Sequence, residues 1–133
     1  MKTILILGGY GYTGKLLTKH LLGQTDFNIM IAGRNLDKAQ AFTAKLDDPR
    51  LTALRVDAAD PASLCPALQG VTICMVAAPV TSLNLERLIH TCIEAGVDYL
   101  DIQYSTAKIN LLNSLAAEIK QKNLCFVTEA GYH

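Results

Sequence analysis

The segment GGYGYTG at residues 8–14 constrains the fold of this chain more than any other, because four of its seven residues are glycine. Glycine loses more backbone freedom on folding than any other residue, so a cluster of glycines requires a structural reason. A short apolar run, residues 3–7, precedes the segment, and residues 13–22 carry leucines at helical spacing. This segment, which we call the glycine loop, is therefore predicted to connect a buried strand to a helix.

The same alternation of strand and helix patterns continues along the chain. Further strands are predicted at residues 28–32, 51–56, 71–77, 97–102 and 124–128, and further helices at 36–46, from 61 to about 68, through 85–93 and at 105–119. Near-continuous apolar strands are typical of parallel strands that are buried on both faces. The pattern predicts one α/β domain, residues 1–133, with a doubly wound parallel sheet of six strands in the order 3-2-1-4-5-6.

The amino-acid composition limits the classes of protein and of partner that we expect for this chain. Basic and acidic residues number 12 each, so the net charge gives no electrostatic reason to expect nucleic acid or an anionic membrane as a partner. No apolar run is long enough to span a bilayer or to form a signal-peptide core, so we expect a soluble, cytoplasmic protein. Cys65, Cys74, Cys92 and Cys125 show no metal-ligand spacing. We expect them to be reduced thiols packed as small hydrophobes, with no metal site.

Within the glycine loop, residues 9–14 have the G-x-G-x-x-G spacing that binds dinucleotides when it lies between a strand and a helix. We expect Gly9 to permit the tight turn and Gly11 to let a pyrophosphate approach the backbone. Gly14 would let the helix pack closely on the strand. The helix N-terminus then offers N–H groups and the positive end of its dipole to phosphates. The alternative is a turn without a ligand.

Three other residues of the glycine loop are candidates for contact with the cofactor. Thr13 could add a hydroxyl to the phosphate site. One of Tyr10 and Tyr12 could cover the cofactor, and the alternative for either is an exposed aromatic ring. The segment is not a P-loop, because Leu16 follows Gly14-Lys15 where a P-loop has a serine or threonine.

The end of the second predicted strand indicates which dinucleotide binds. An NAD site usually has an acidic residue there, whereas this chain has Gly33-Arg34-Asn35, with Arg34 twenty residues after Gly14. A guanidinium binds a 2′-phosphate bidentately, and a carboxylate would repel it. We therefore expect NADP rather than NAD, the alternative for Arg34 being a solvated side chain. The nearest acid, Asp37, is expected to interact with the dipole of the next helix.

Other candidates follow the remaining strands, where open α/β sheets bind their ligands. Asp57 could accept a hydrogen bond from the adenine amino group, or could serve its own loop. Ala77 and Ala78 are small enough to let the inner ribose lie against the backbone, or could simply pack. Asp101 and Gln103 end the fifth strand, near the expected nicotinamide. No nucleophile–base pair or carboxylate dyad emerges, so the catalytic residues stay unidentified.

Five stretches, ILILGGYGYTG, AGRN, VDAAD, CIEAGVDYLDI and TEAGYH, together resemble the N-terminal domain of saccharopine dehydrogenase-like oxidoreductases over residues 2–133. The resemblance implies a Rossmann domain that binds NADP(H) or NAD(H), followed by a larger domain for substrate binding and dimerisation. It also implies hydride transfer at a C–N or C=C bond. By motif match, Gly9, Gly11, Gly14 and Arg34 carry over as cofactor-binding residues, and Asp57 is a weaker match.

Members of that family continue past the position of His133, so we expect this chain to be an excised domain whose substrate and dimerisation domain is absent. Alone it would bind nucleotide without turnover. The full-length enzyme would take a small-molecule substrate and could form a homodimer through the missing domain. One alternative is a non-catalytic NADP(H) sensor or binding module of the atypical short-chain dehydrogenase type. Another is a Rossmann-like domain that has lost its ligand.

Overall fold

A computed structural model describes residues 2–130 of the chain as a six-stranded parallel sheet in the order β3-β2-β1-β4-β5-β6. The strands are β1 (Thr3–Leu7), β2 (Asn28–Gly33), β3 (Leu51–Arg55), β4 (Ile73–Val76), β5 (Asp98–Asp101) and β6 (Phe126–Val127). The helices are α1 (Tyr12–Gln24), α2 (Leu36–Leu46), α3 (Pro61–Ala67), α4 (Ser82–Ala95), α5 (Thr106–Ser114) and α6 (Ala116–Gln121). The predicted fold class and strand order are confirmed. Residues 131–133, the end of the TEAGYH stretch, lie outside the described residues.

Strand β1 is the centre of the sheet and pairs with β2 on one side and β4 on the other. Its alternate residues serve two separate cores. Ile4 and Ile6 pack in the core that includes side chains of α1 and α2. Leu5 and Leu7 pack in the larger core that includes side chains of α3 and α4. Helices therefore cover both faces of the strand, which explains its uninterrupted apolar sequence.

The predicted helix at 105–119 is wrong in one respect, because the chain forms two helices that are separated at Leu115. The Ser114 hydroxyl donates to the carbonyl oxygen of Leu111 at 2.6 Å. The Leu115 N–H is shared between the carbonyl oxygens of Leu111 and Leu112, at 3.1 and 3.2 Å. A serine that bonds back to the preceding turn bends or weakens a helix. The apolar periodicity runs across this break and so conceals it.

The cysteine prediction holds for two of the four residues. Cys74 and Cys92 are buried, and the hydrogen bond to Cys74, together with burial, raises the pKa of the Cys92 thiol. Cys65 and Cys125 are exposed free thiols, which corrects the expectation that all four pack as hydrophobes. Cys125 directly precedes β6, which is an edge strand of only two residues, so the apolar run there is not enclosed. No helix in the described part of the chain is both long and apolar enough to cross a bilayer.

A buried ion pair fastens the C-terminal part of the sheet. The Lys108 ammonium donates to Asp101 Oδ1 at 2.9 Å, and their side chains are 2% and 0% exposed. Asp101 Oδ1 also accepts from the Thr128 hydroxyl at 2.8 Å and from the Glu129 N–H at 3.1 Å. Asp101 thus connects β5, α5 and the segment after β6, and these donors compensate for its lost hydration.

Tyr99 completes this cluster on the other carboxylate oxygen. Its hydroxyl donates to Asp101 Oδ2 at 2.5 Å, and its ring stacks on Phe126 of β6 with 5.3 Å between the ring centroids. Burial and the hydrogen bond to Asp101 raise the pKa of Tyr99 above its usual range. The phenol therefore stays protonated and remains a donor to the carboxylate.

We predict that Lys108→Met lowers the free energy of unfolding by about 3–5 kcal/mol, because the Asp101 carboxylate would stay buried without its cation. Lys19→Met is the matched control, since Lys19 is exposed on α1. It should change the stability by less than about 0.5 kcal/mol. Urea unfolding followed by circular dichroism measures both. Equal losses in the two variants would contradict the importance of the ion pair.

Candidate functional site

A groove of about 660 Å³ lies at the carboxyl ends of the central strands. It is bounded by the loops that follow β1, β2, β3 and β4, where the order of the strands reverses, which is the usual position of a ligand in an open α/β sheet. Eight of the ten residues predicted as cofactor-binding line it: Tyr10, Gly11, Tyr12, Thr13, Arg34, Asp57, Ala77 and Ala78. The other two, Gly9 and Gly14, are buried in the glycine loop.

The tight turn of the glycine loop runs from Gly8 to Gly11, so Gly9 lies inside the turn that we predicted, and Gly8 is an additional glycine with a special role. Gly8 has a φ of +83°, and a Cβ built on it would lie 2.5 Å from the Cβ of Ala78. Its N–H donates to the carbonyl oxygen of Ala32 at 2.7 Å, and its carbonyl oxygen accepts from the Gly11 N–H at 3.0 Å. Only glycine satisfies both the backbone angle and the close approach. Gly8 therefore belongs to the site, and the three-residue spacing of Gly8, Gly11 and Gly14 was the signal for it.

The other glycines of the loop have different roles in packing. A Cβ on Gly14 would lie 2.6 Å from the Cα of Gly9, so the close packing of α1 at Gly14 is on the loop after β1, where we expected it on the strand itself. Gly9 itself packs against Ile31. A Cβ on Gly11 would have only the carbonyl oxygen of Gly8 within 4 Å among the described residues, at 3.3 Å. The space in front of Gly11 is thus left open to a ligand.

Helix α1 begins without a side-chain cap, because its N-cap is Gly11. The N–H of Lys15 makes the first helical bond, to the carbonyl oxygen of Gly11 at 2.9 Å. By contrast, each of the helices α2 to α5 has a side-chain cap. The capping residues are Asn35 for α2, Asp60 for α3, Thr81 for α4 and Ser105 for α5. The first N–H groups of α1 are therefore without a side-chain acceptor at the edge of the groove. Together with the open space at Gly11, they fit the pyrophosphate of a dinucleotide.

Arg34 lies at the end of β2 and is exposed beside the groove. A shallow depression next to it is bounded by Tyr10 and by the first turn of α2, including Lys38. Asp37 is in that first turn, where an acidic residue interacts favourably with the helix dipole, as predicted. The charges around the depression are thus two cations and one acid, which suits a phosphate better than a neutral hydroxyl.

Asp57 and the two alanines combine packing with exposure to the groove. Asp57 Oδ1 accepts from the Ala59 N–H at 2.9 Å, so this carboxylate holds its own loop as well as lining the groove. The Ala77 N–H donates to the carbonyl oxygen of Leu7 at 2.8 Å, which extends the pairing of β4 with β1. Ala78 fills the space beside Gly8. Each of these three residues therefore makes local contacts and also lines the groove. The local role and the contact with a ligand, which the sequence left as alternatives, are compatible.

Asp101 and Gln103 do not line the groove, although both were predicted near the nicotinamide. Asp101 is fully buried in its ion pair. The Gln103 side chain accepts from the Val80 N–H at 3.2 Å and donates to the Val80 carbonyl oxygen at 3.0 Å. Val80 in turn lines the groove, so Gln103 supports its wall from behind. Sequence reasoning missed other lining residues on that wall, including Thr81 and Asn84, because only the fold brings the first turn of α4 there.

The family model described as the saccharopine dehydrogenase NADP binding domain matches residues 4–127. Among solved structures, the apo saccharopine dehydrogenase (L-Glu forming) of Saccharomyces cerevisiae has a TM-score of 0.79 at 23% identity, over 98% of this chain and 27% of that one. The triphenylmethane reductase of Citrobacter sp., complexed with NADP(H), has a TM-score of 0.71 at 20% identity, over 94% and 48%. A short-chain dehydrogenase/reductase of Veillonella parvula, in complex with NADP, has a TM-score of 0.68 at 17% identity, over 96% and 67%.

These identities show a shared fold, and the chain spans about a quarter of the yeast enzyme and half of the Citrobacter reductase. The match to the family model is stronger evidence, because it covers nearly the whole chain. This protein therefore belongs to the family of saccharopine dehydrogenase NADP-binding domains, and NADP is its dinucleotide.

Proposed function

We propose that this domain holds NADP(H) for an oxidoreductase that transfers a hydride to or from a C–N or C=C bond of a small-molecule substrate. The observation that carries the proposal is the uncapped start of α1 behind the open face of Gly11, with Arg34 on the same groove. When bound, the nicotinamide supplies the hydride donor or acceptor. A further domain beyond this one would complete the substrate site and could form the homodimer.

Each part of the dinucleotide has a proposed partner in the groove. The backbone N–H groups at the start of α1, with the Thr13 hydroxyl, bind the pyrophosphate beside Gly11. The Arg34 guanidinium binds the 2′-phosphate. Asp57 accepts from the adenine amino group, and Ala77 and Ala78 let the inner ribose lie against the backbone. Tyr12 lines the groove and is 86% exposed, so it could cover the bound nucleotide.

The lining of the groove favours binding without turnover by this domain alone. Asp57 is the only carboxylate among the described residues that line it, and one of its oxygens is already used by Ala59. A second carboxylate that exchanges a proton with the substrate would then come from another segment. The same observation favours a second candidate function, a non-catalytic NADP(H) sensor or binding module of the atypical short-chain dehydrogenase type.

We predict that NADPH raises the melting temperature of this chain more than NADH does. A ligand at about 100 times its dissociation constant adds about 2.7 kcal/mol of stability. For a domain of this size that corresponds to roughly 10 °C. Thermal unfolding with each nucleotide at the same concentration tests it. An unchanged melting temperature with both nucleotides would contradict binding by this chain.

We predict that Arg34→Asp weakens NADPH binding by about tenfold or more and leaves NADH binding equal or better. The change removes a charge-assisted interaction and places a carboxylate beside the phosphate. Isothermal titration with both nucleotides measures the two dissociation constants. Lys45→Asp, at the other end of α2, is the control for a charge reversal and should leave their ratio unchanged. An unaltered ratio in Arg34→Asp would remove Arg34 from the site.

We predict that Gly11→Ala abolishes the binding of both nucleotides without unfolding the chain. Gly11 has extended backbone angles that alanine adopts, and the added methyl would enter the space that we assign to the pyrophosphate. Its cost to stability should be about 1 kcal/mol or less. Gly23→Ala in α1 is the matched control, because a Cβ built there has no heavy atom of the described residues within 4 Å apart from its chain neighbours and the adjacent helix backbone. Retained binding in Gly11→Ala would place the pyrophosphate elsewhere.

A further inference from the structure

Tyr10 joins the glycine loop to the loop between β2 and α2. Its ring packs against the core that contains Ile4 and Ile31, so it is anchored at its base. At its tip, the hydroxyl oxygen accepts a hydrogen bond from the Asn35 N–H at 3.1 Å. A tyrosine ring has few rotatable bonds and loses little entropy when it is held in this way. Tyr10 therefore forms a rigid connection between the core and the backbone of Asn35.

The ring also lies against the backbone of Gly33. A Cβ built on Gly33 would be 2.5 Å from the hydroxyl oxygen of Tyr10 and 2.7 Å from its Cζ. Gly33 is held from the other side as well, since its carbonyl oxygen accepts from the Val56 N–H at 2.9 Å. The glycine is needed here for close approach, and the ring compensates for the flexibility that glycine brings.

Arg34 lies between these two fixed points. Gly33 on one side is covered by the Tyr10 ring, and Asn35 on the other is bonded to the Tyr10 hydroxyl. Asn35 is fixed further because its Oδ1 accepts from the Lys38 N–H at 3.1 Å and so caps α2. Tyr10 thus contacts the residues on both sides of Arg34, while the arginine side chain itself stays exposed beside the groove.

We propose that Tyr10 is a positioning residue that sets the preference of this domain for NADP over NAD, because it orients the Arg34 backbone toward the 2′-phosphate. The inference rests on the proposed role of Arg34. A loop that is held in its binding orientation before the ligand arrives loses less entropy on binding. Since NADP and NAD differ only in the 2′-phosphate, an effect through Arg34 appears in the ratio of the two affinities and not in both equally.

The test compares Tyr10→Phe with Tyr12→Phe by titration with NADPH and with NADH. Both variants lose one hydroxyl from the same groove, and only Tyr10 bonds to Asn35 among the described residues. In Tyr10→Phe the NADPH dissociation constant should rise about fivefold, as for one lost hydrogen bond, with NADH unchanged. Tyr12→Phe should leave the ratio of the two constants unchanged. The melting temperature should fall by only a few degrees, about what the loss of one hydrogen bond near solvent costs.

A second readout needs no nucleotide. Amide hydrogen exchange in the free protein, measured by NMR, should be faster at Asn35 in Tyr10→Phe and unchanged in Tyr12→Phe. Equal weakening of NADPH and NADH would overturn the inference, because Tyr10 would then contact a part that both share. Tighter NADPH binding would also overturn it, since the Asn35 N–H would then be a phosphate ligand that Tyr10 withholds.

A double-variant cycle separates positioning from direct contact. With Arg34→Ala in place, adding Tyr10→Phe should leave the NADPH to NADH ratio unchanged, because the side chain through which Tyr10 acts is gone. A further loss in that background would show that Tyr10 itself contacts the phosphate, and the inference would be wrong. If Arg34→Ala alone leaves the ratio unchanged, the proposed role of Arg34 fails and the inference fails with it. If only Tyr10→Phe has no effect, the role of Arg34 survives.

Discussion

The close approach of three backbone segments around the glycine loop is the constraint on which the rest of the structure depends. Gly8 leaves room for Ala78 of the loop after β4, and Gly14 leaves room for the backbone of Gly9. A methyl group at either glycine would push apart the parts that enclose the groove. The parallel sheet determines where the loops emerge. Because glycine has no side chain, Gly8 and Gly14 determine how closely the neighbouring segments approach one another. The start of α1 can face the groove because of both.

The family of the chain agrees with this geometry. NADP-binding domains need a place for a pyrophosphate and a cation for the extra phosphate, and the groove presents an uncapped helix start and Arg34. Asp57 is the single carboxylate among the described residues that line the groove. The described residues of the groove thus provide what an NADP-binding domain needs to hold its nucleotide.

Much of the fold could be predicted from sequence because strands buried on both faces leave a strong apolar signal. The bounds of β1 and α2 are the predicted ones. The role of Gly8 was not predicted, because the approach of Ala78 that requires a glycine there is a long-range contact. The break at Leu115 is due to a local hydrogen bond that apolar periodicity does not record.

The candidate site was predictable where residue type and strand position suffice, as for Arg34. It was not predictable where partners converge from distant segments. The carboxylate of Asp101 at a strand end indicates a ligand contact by position, yet Lys108 and Thr128 enclose it. Tyr10 was predicted only as a possible cover for the cofactor. Its hydrogen bond with Asn35 depends on the spacing of β1 and β2, which cannot be derived from the sequence.

The pair of hydrogen bonds between Gln103 and Val80 has a kinetic consequence. The Gln103 amide both donates to and accepts from the backbone of Val80, as a neighbouring strand would. It therefore links the segments that follow β4 and β5 beyond the ends of both strands. These two bonds hold the wall of the groove that contains Val80 to the residue that follows β5 by two positions. A nucleotide that meets this wall finds it already formed, so we expect diffusion and charge, and not loop ordering, to limit how fast it associates.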